Sequence, residues 1–296
     1  MPGTLLFAQG FPTLLQGGEK GRGMETLLVY LAVGAVAGTI AGLFGVGGGL
    51  IIVPALVLVF TARGIAPDIL THMAVATSLA TIVVTSVSSI RTHHLKGAVD
   101  WRIFRVMVPG ILLGSWLGGV TADLLPGPWL QLLIGVFAIL IAAKMWLDGL
   151  RSAPLPEDGG RLPGAAGLTT AGGVIGWASA IFGIGGGSLT VPFLSRSHVQ
   201  IQRAVATSAA CGLPIAVAGA ISFAIQGWGN PLLPPWSSGY VYWPAFLGIV
   251  LASALFARFG ALLAHRLSPR MLKNCFGGLL FVIGARFIWL NIHLLA

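Results

Sequence analysis

Residues 34–54 read GAVAGTIAGLFGVGGGLIIVP, and residues 172–192 read GGVIGWASAIFGIGGGSLTVP. The cluster Gly45, Gly47, Gly48 and Gly49 returns as Gly183, Gly185, Gly186 and Gly187, and Pro54 returns as Pro192. Each cluster interrupts an apolar run long enough to enter a membrane. Consecutive glycines weaken a helix, and irregular backbone at membrane depth survives only when buried in protein or lining a wet cavity. Matched breaks in two halves of a chain point to the binding site of a transporter.

Composition fixes the environment. Hydrophobic residues make up 56% of the chain and charged residues 8%, where soluble domains carry roughly 25% charged residues. The charges cluster between long apolar stretches, which a single soluble core cannot absorb. Those stretches far exceed the about ten residues of a barrel strand. The fold class is therefore an all-α polytopic membrane protein. The net charge of +9 reflects basic connecting loops rather than a nucleic-acid partner. Cys211 and Cys275 both fall in apolar stretches, with no CxxC or close Cys/His grouping, and read as packing residues. No metal or cofactor motif is present: GxGGG lacks the strand–turn–helix setting and later acid of a dinucleotide fingerprint.

The chain divides into two repeats. Residues 1–23 read as an N-terminal tail, with Met24 a plausible natural start. Residues 24–149 form the first repeat, 150–164 a polar linker, and 165–296 the second repeat. Apolar segments cover Thr26–Phe60 (broken at the glycines), His72–Ile90, Phe104–Val120 and Trp129–Leu147. The second repeat offers a broken segment from Ala165, then Ala204–Ile225, Tyr242–Leu263 and Leu272–Ile292. About eight transmembrane helices in two homologous halves follow, each half opening with a glycine-broken helix. The duplication extends past the glycines. AVATS at 74–78 returns at 204–208, Val99 and Trp101 return as Val241 and Trp243, and Gly118, Gly135 and Lys144 return as Gly260, Gly277 and Arg286. Eight spans would put Lys20, Arg22, Arg91, Lys96, Arg102, Arg105, Lys144, Arg151, Arg161 and Arg286 on one side and Arg63, Arg196, Arg203, Arg266, Arg270 and Lys273 on the other, with both termini cytoplasmic. A re-entrant rather than spanning broken segment would change that count and permit inverted halves.

A helix restarting after each glycine cluster exposes unpaired N–H groups and the positive end of its dipole. A small anion there would satisfy those groups. Pro54 and Pro192 suit the restart if they lie in the first helical turn, where a missing N–H costs little. Gly34, Gly38 and Gly42, spaced at four, suit close helix packing instead. The hydroxyls of Thr77, Ser78, Thr207 and Ser208 can donate to an oxyanion, or bond back to their own helices. Substrate-binding candidates are thus Gly45, Gly47, Gly48, Gly49, Thr77, Ser78, Gly183, Gly185, Gly186, Gly187, Thr207 and Ser208. His93 and His94 lack a third ligand and read as part of a solvated basic loop.

GLFGVGGGLIIVP, AVATS, GAVDW, FGIGGGSLTVP and RAVATS resemble the TauE/SafE family of membrane transporters, also described as sulfite exporters, over about residues 26–292. The resemblance implies a multi-pass protein of the bacterial inner membrane whose partners are lipid and a small anion such as sulfite or a sulfonate. It implies a secondary transporter or facilitator and no enzyme. A membrane enzyme would need a catalytic constellation beyond His93, His94 and scattered polar residues. A structural subunit would need the glycines for assembly alone. Asp68, Asp100 and Asp123 lie near segment ends, so no buried carboxylate proton relay is expected.

Overall fold

The structure, a computed structural model, describes residues 19–44, 49–150, 162–264 and 269–294. The helices in chain order are α1 (Glu19–Phe44), α2 (Gly49–Ala62), α3 (Pro67–Leu95), α4 (Trp101–Asp123), α5 (Gly127–Leu150), α6 (Ala165–Phe182), α7 (Gly187–Arg196), α8 (Ile201–Gln226), α9 (Trp243–Ala264) and α10 (Pro269–Asn291). A two-residue ribbon, β1 (Ser237–Ser238) with β2 (Val241–Tyr242), sits between α8 and α9. Among the described residues, 6 helices are long and apolar enough to cross a membrane: α3, α4, α5, α6, α8 and α10, the first turns of α10 lying outside the qualifying stretch. Shorter apolar stretches are Leu27–Thr39, Gly49–Ala62 and Trp243–Phe256. The protein is an all-α polytopic membrane protein. Helix α1 already begins at Glu19, inside the segment expected to be a tail.

The first broken segment doubles back. Were α2 a continuation of α1, Tyr30 and Phe60 would lie about 45 Å apart at the helical rise. Their ring centroids are 6.5 Å apart, and the Arg63 guanidinium sits 5.5 Å over the Tyr30 ring. Helices α1 and α2 therefore form a hairpin rather than the single broken crossing expected. The same holds for α6 and α7: Leu168, near the start of α6, and Leu194, near the end of α7, share one apolar cluster with Met107 and Ile215.

Helix directions follow from the close approaches of glycines. Gly34 meets Ile249 and Ala252 while Gly38 meets Ser253, so α1 and α9 run parallel. Gly110 meets Thr169 and Gly118 meets Trp177, so α4 and α6 also run parallel. Helices α3 and α8 run antiparallel, with Leu79 against Gly219 and Ser86 against Gly212. So do α5 and α10, with Gly135 against Gly284 and Trp146 against Gly277. In each case the missing side chain lets a backbone carbonyl or a facing side chain close in, as small-residue membrane interfaces require. Gly34 and Gly38 thus serve packing, as their spacing suggests. Each repeat's first helix packs on the other repeat's fourth, and the third and fifth helices pack on their own counterparts. This arrangement corrects the expected grouping of basic residues: Arg203 lies beside Arg102 and Arg105 at one cavity, not on the opposite side. The hairpins add a reversal in each repeat that a single broken crossing does not.

Candidate functional site

The two hairpins meet tip to tip. A Cβ on Gly49, the first residue of α2, would lie 2.7 Å from the Gly183 carbonyl oxygen and 3.0 Å from Ile184 Cα. Gly183 caps α6 in the left-handed conformation, φ 65°, which a side chain disfavours. Its N–H donates to the Ala180 carbonyl, and that of Ile184 to the Ser179 carbonyl. These bonds close the helix end and free the chain to turn into α7. The junction lies against the middle of α3, where Val75 and Ile82 touch Gly183 and Gly49. Gly45, Gly47 and Gly48 lie outside the described residues.

The second hairpin carries the polar groups. The N–H groups of Gly185, Gly186, Gly187 and Ser188 find no acceptor among the described residues. Thr190 and Ser208 are fully buried, at 0% and 1% exposure, and neither hydroxyl has a hydrogen-bond partner among the described residues. Both flank Gly186: a Cβ there would lie 3.0 Å from Thr190 Oγ1 and 3.7 Å from the Ser208 carbonyl oxygen. Gly212, on the facing turn of α8, sits close to both Ser86 Oγ and the Gly186 nitrogen. Ser179 and Ser188 are further buried hydroxyls without partners among the described residues. Leaving such a group unsatisfied costs about 1–3 kcal/mol. The N–H groups and the Thr190 hydroxyl thus gather at one helix start, with the Ser208 carbonyl beside them; donors so placed can receive an acceptor-rich group.

The other candidates have different roles. Thr77 Oγ1 accepts from the Tyr242 N–H at 3.1 Å, and Thr207 Oγ1 accepts from the Asp100 N–H at 2.9 Å. Tyr242 and Asp100 occupy equivalent positions just before α9 and α4, so each threonine anchors a helix start in the other repeat. Ser78 Oγ donates to the Gly183 carbonyl at 2.8 Å and ties α3 to the second hairpin. Pro54 and Pro192 lie inside α2 and α7 rather than in the first turn. Each withholds the N–H that the carbonyl four residues earlier, of Leu50 or Ser188, would otherwise receive. Sequence reasoning missed Ser86, Ser188, Thr190 and Gly212. One signal was available: GGGLIIVP becomes GGGSLTVP, so Leu50 and Ile52 of the first hairpin become Ser188 and Thr190 of the second.

Among the described residues no group of three His, Cys, Asp or Glu could hold a metal. Near the starts of α3 and α5, His72 is buried, its Nε2 2.9 Å from the Ala122 carbonyl oxygen and its ring stacked on Tyr240 at 5.1 Å. The Tyr240 hydroxyl donates to Asp123 at 2.9 Å. Burial, with Asp123 alongside, pushes the Tyr240 phenol up to about 12, so it stays a neutral donor.

Paired helical hairpins meeting tip to tip within a bundle of apolar helices place the chain in a class, the multi-pass membrane proteins. The sulfite exporter TauE/SafE model matches residues 30–287, and the chain belongs to that family. A probable membrane transporter protein of Haemophilus influenzae is 37% identical over 257 residues, spanning 87% of this chain and 96% of its own length. The probable membrane transporter protein YunE of Bacillus subtilis is 26% identical, covering 89% of this chain and 98% of its own. A similar protein of Methanocaldococcus jannaschii, MJ0441, is also 26% identical, over 87% of this chain and 94% of its own. No solved structure matches.

Proposed function

We propose that this protein is a secondary transporter or facilitator that moves a small oxyanion, sulfite or a related sulfonate, across the bacterial inner membrane. The observation that carries the reading is the cradle at the start of α7: N–H groups from Gly185 to Ser188 and the buried hydroxyls of Thr190 and Ser208, none with a partner among the described residues. A helix N-terminus binds an anion without an arginine, because the dipole and oriented donors supply the potential. Fixed backbone donors also select for size, since the cradle cannot widen to suit a larger ion. The family's description as sulfite exporters supports a sulfur oxyanion.

Residues 24–149 and 165–296 act in this proposal as two inverted repeats joined by the linker 150–164, the expected tail 1–23 overlapping the start of α1 at Glu19. The hairpins enter from opposite faces, and movement of either tip would open the cradle to one side at a time. Arg91, Lys96, Arg102, Arg105, Arg196 and Arg203 fall on one face and make it cytoplasmic. Flux of sulfite into proteoliposomes tests the proposal. Wild-type protein transports it, and Gly186→Val, which fills the cradle, abolishes transport while the protein remains monodisperse. Absence of flux for every small oxyanion and sulfonate in folded wild-type protein would overturn it.

A further inference from the structure

A second polar cavity, of about 370 Å³, opens where α4 and α8 begin, lined by Gly97, Asp100, Trp101, Arg102, Arg105 and Arg203 among others. Three exposed arginines and one aspartate are among the residues that line it. That carboxylate is already engaged, since Asp100 Oδ1 accepts from the N–H groups of Arg102 and Ile103 at 3.0 and 3.2 Å. Arg105 spends its Nε on the Trp101 carbonyl at 3.2 Å. None of the three arginines has an ion-pair partner among the described residues. The cavity therefore carries a surplus of positive charge and unspent guanidinium donors, the geometry that recognises phosphate-like groups.

The duplication supplies an internal control. The equivalent joint in the other half is built by the same device, with Thr77 holding the Tyr242 N–H as Thr207 holds that of Asp100. Val99 and Trp101 are retained there as Val241 and Trp243. The arginines are not: Arg102 corresponds to Pro244, Arg105 to Leu247 and Arg203 to Met73. The joint thus folds without them. A basic face alone orients a membrane protein but does not require its arginines to converge from two helices on one cavity.

We propose that this cavity binds a phosphate- or sulfate-type oxyanion group on one face of the membrane, separately from the cradle at the hairpin tips. The group comes either from a free anion awaiting transport or from the headgroup of an anionic lipid. The inference does not rest on the transport assignment. The test is equilibrium binding of radiolabelled sulfate and inorganic phosphate to the full chain in nanodiscs at low salt. In phosphatidylcholine discs, Arg102→Gln/Arg105→Gln/Arg203→Gln lowers affinity at least ten-fold, whereas Arg196→Gln, an exposed basic residue of the same face outside the cavity lining, leaves this binding in place. Discs containing phosphatidylglycerol separate the sources. Unchanged wild-type binding there assigns a free anion, and suppression to the level of the triple variant assigns the lipid headgroup. Equal binding by wild type and triple variant in phosphatidylcholine overturns the proposal. Should the triple variant aggregate, Arg203→Gln alone, at an exposed position, is expected to weaken binding several-fold, and no change in it overturns the proposal equally.

Discussion

Thr77, Ser78, Thr207 and Ser208 look alike in sequence, yet their surroundings separate them. Thr207→Val leaves the Asp100 N–H without its acceptor, and the expected loss is about 1–3 kcal/mol. Thermal melting in detergent checks this, and Thr207→Ser should recover most of the loss. Ser78→Ala removes a bond to the Gly183 carbonyl and should cost about 1 kcal/mol. Ser208→Ala removes no bond, so melting should be unchanged or slightly raised, while the sulfite concentration for half-maximal flux rises. Equal behaviour of the two serines in melting and in flux would contradict the assignment of Ser208 to the cradle. The motif AVATS could not show this division, because the partners of Thr77, Ser78 and Thr207 lie in the other repeat, far along the chain.

At the scale of elements, the glycine clusters announced two breaks but not their shape. A re-entrant hairpin and an interrupted crossing share composition and length; they differ only in where the returning helix packs. The Tyr30–Phe60 contact settles that for the first hairpin, and no local periodicity encodes it. The difference between the hairpins was legible, since Ser188 and Thr190 stand out in an otherwise apolar repeat. Close approach makes the junction intolerant of bulk. Gly183→Ala combines a left-handed backbone with a Cβ 2.7 Å from Val53 Cγ2, and the backbone strain alone costs roughly 1–2 kcal/mol. Gly49→Ala would press on the Gly183 carbonyl. Both variants should show lowered melting temperatures and broadened gel-filtration peaks. Gly229→Ala tests the backbone effect alone, because its φ is also positive while nothing crowds its Cβ; it should lower the melting temperature less than Gly183→Ala.

For the whole molecule, helix direction decides what the repeat can do. Parallel repeats would present both broken segments to the same face. With α3 antiparallel to α8 and α5 antiparallel to α10, the two hairpins approach one junction from opposite ends of the bundle. The sequence reading of eight crossings and the inverted arrangement then differ in a way that labelling can resolve. In eight crossings, Lys96 and Gln202 lie on opposite faces, and so do Leu124 and Leu232. In the inverted arrangement Lys96 and Gln202 share the basic face, and Leu124 and Leu232 share the other. All four positions are exposed. Single cysteines at these positions, with Cys211 and Cys275 replaced by Ala, can be probed in vesicles of known orientation with an impermeant maleimide. Lys96→Cys and Gln202→Cys should label only from the cytoplasmic side, and Leu124→Cys and Leu232→Cys only from outside, as the excess of basic residues beside the first pair requires. Labelling of Lys96→Cys and Gln202→Cys from opposite sides would return the chain to parallel repeats. The hairpin tips would then have no route to serve one cradle from both faces.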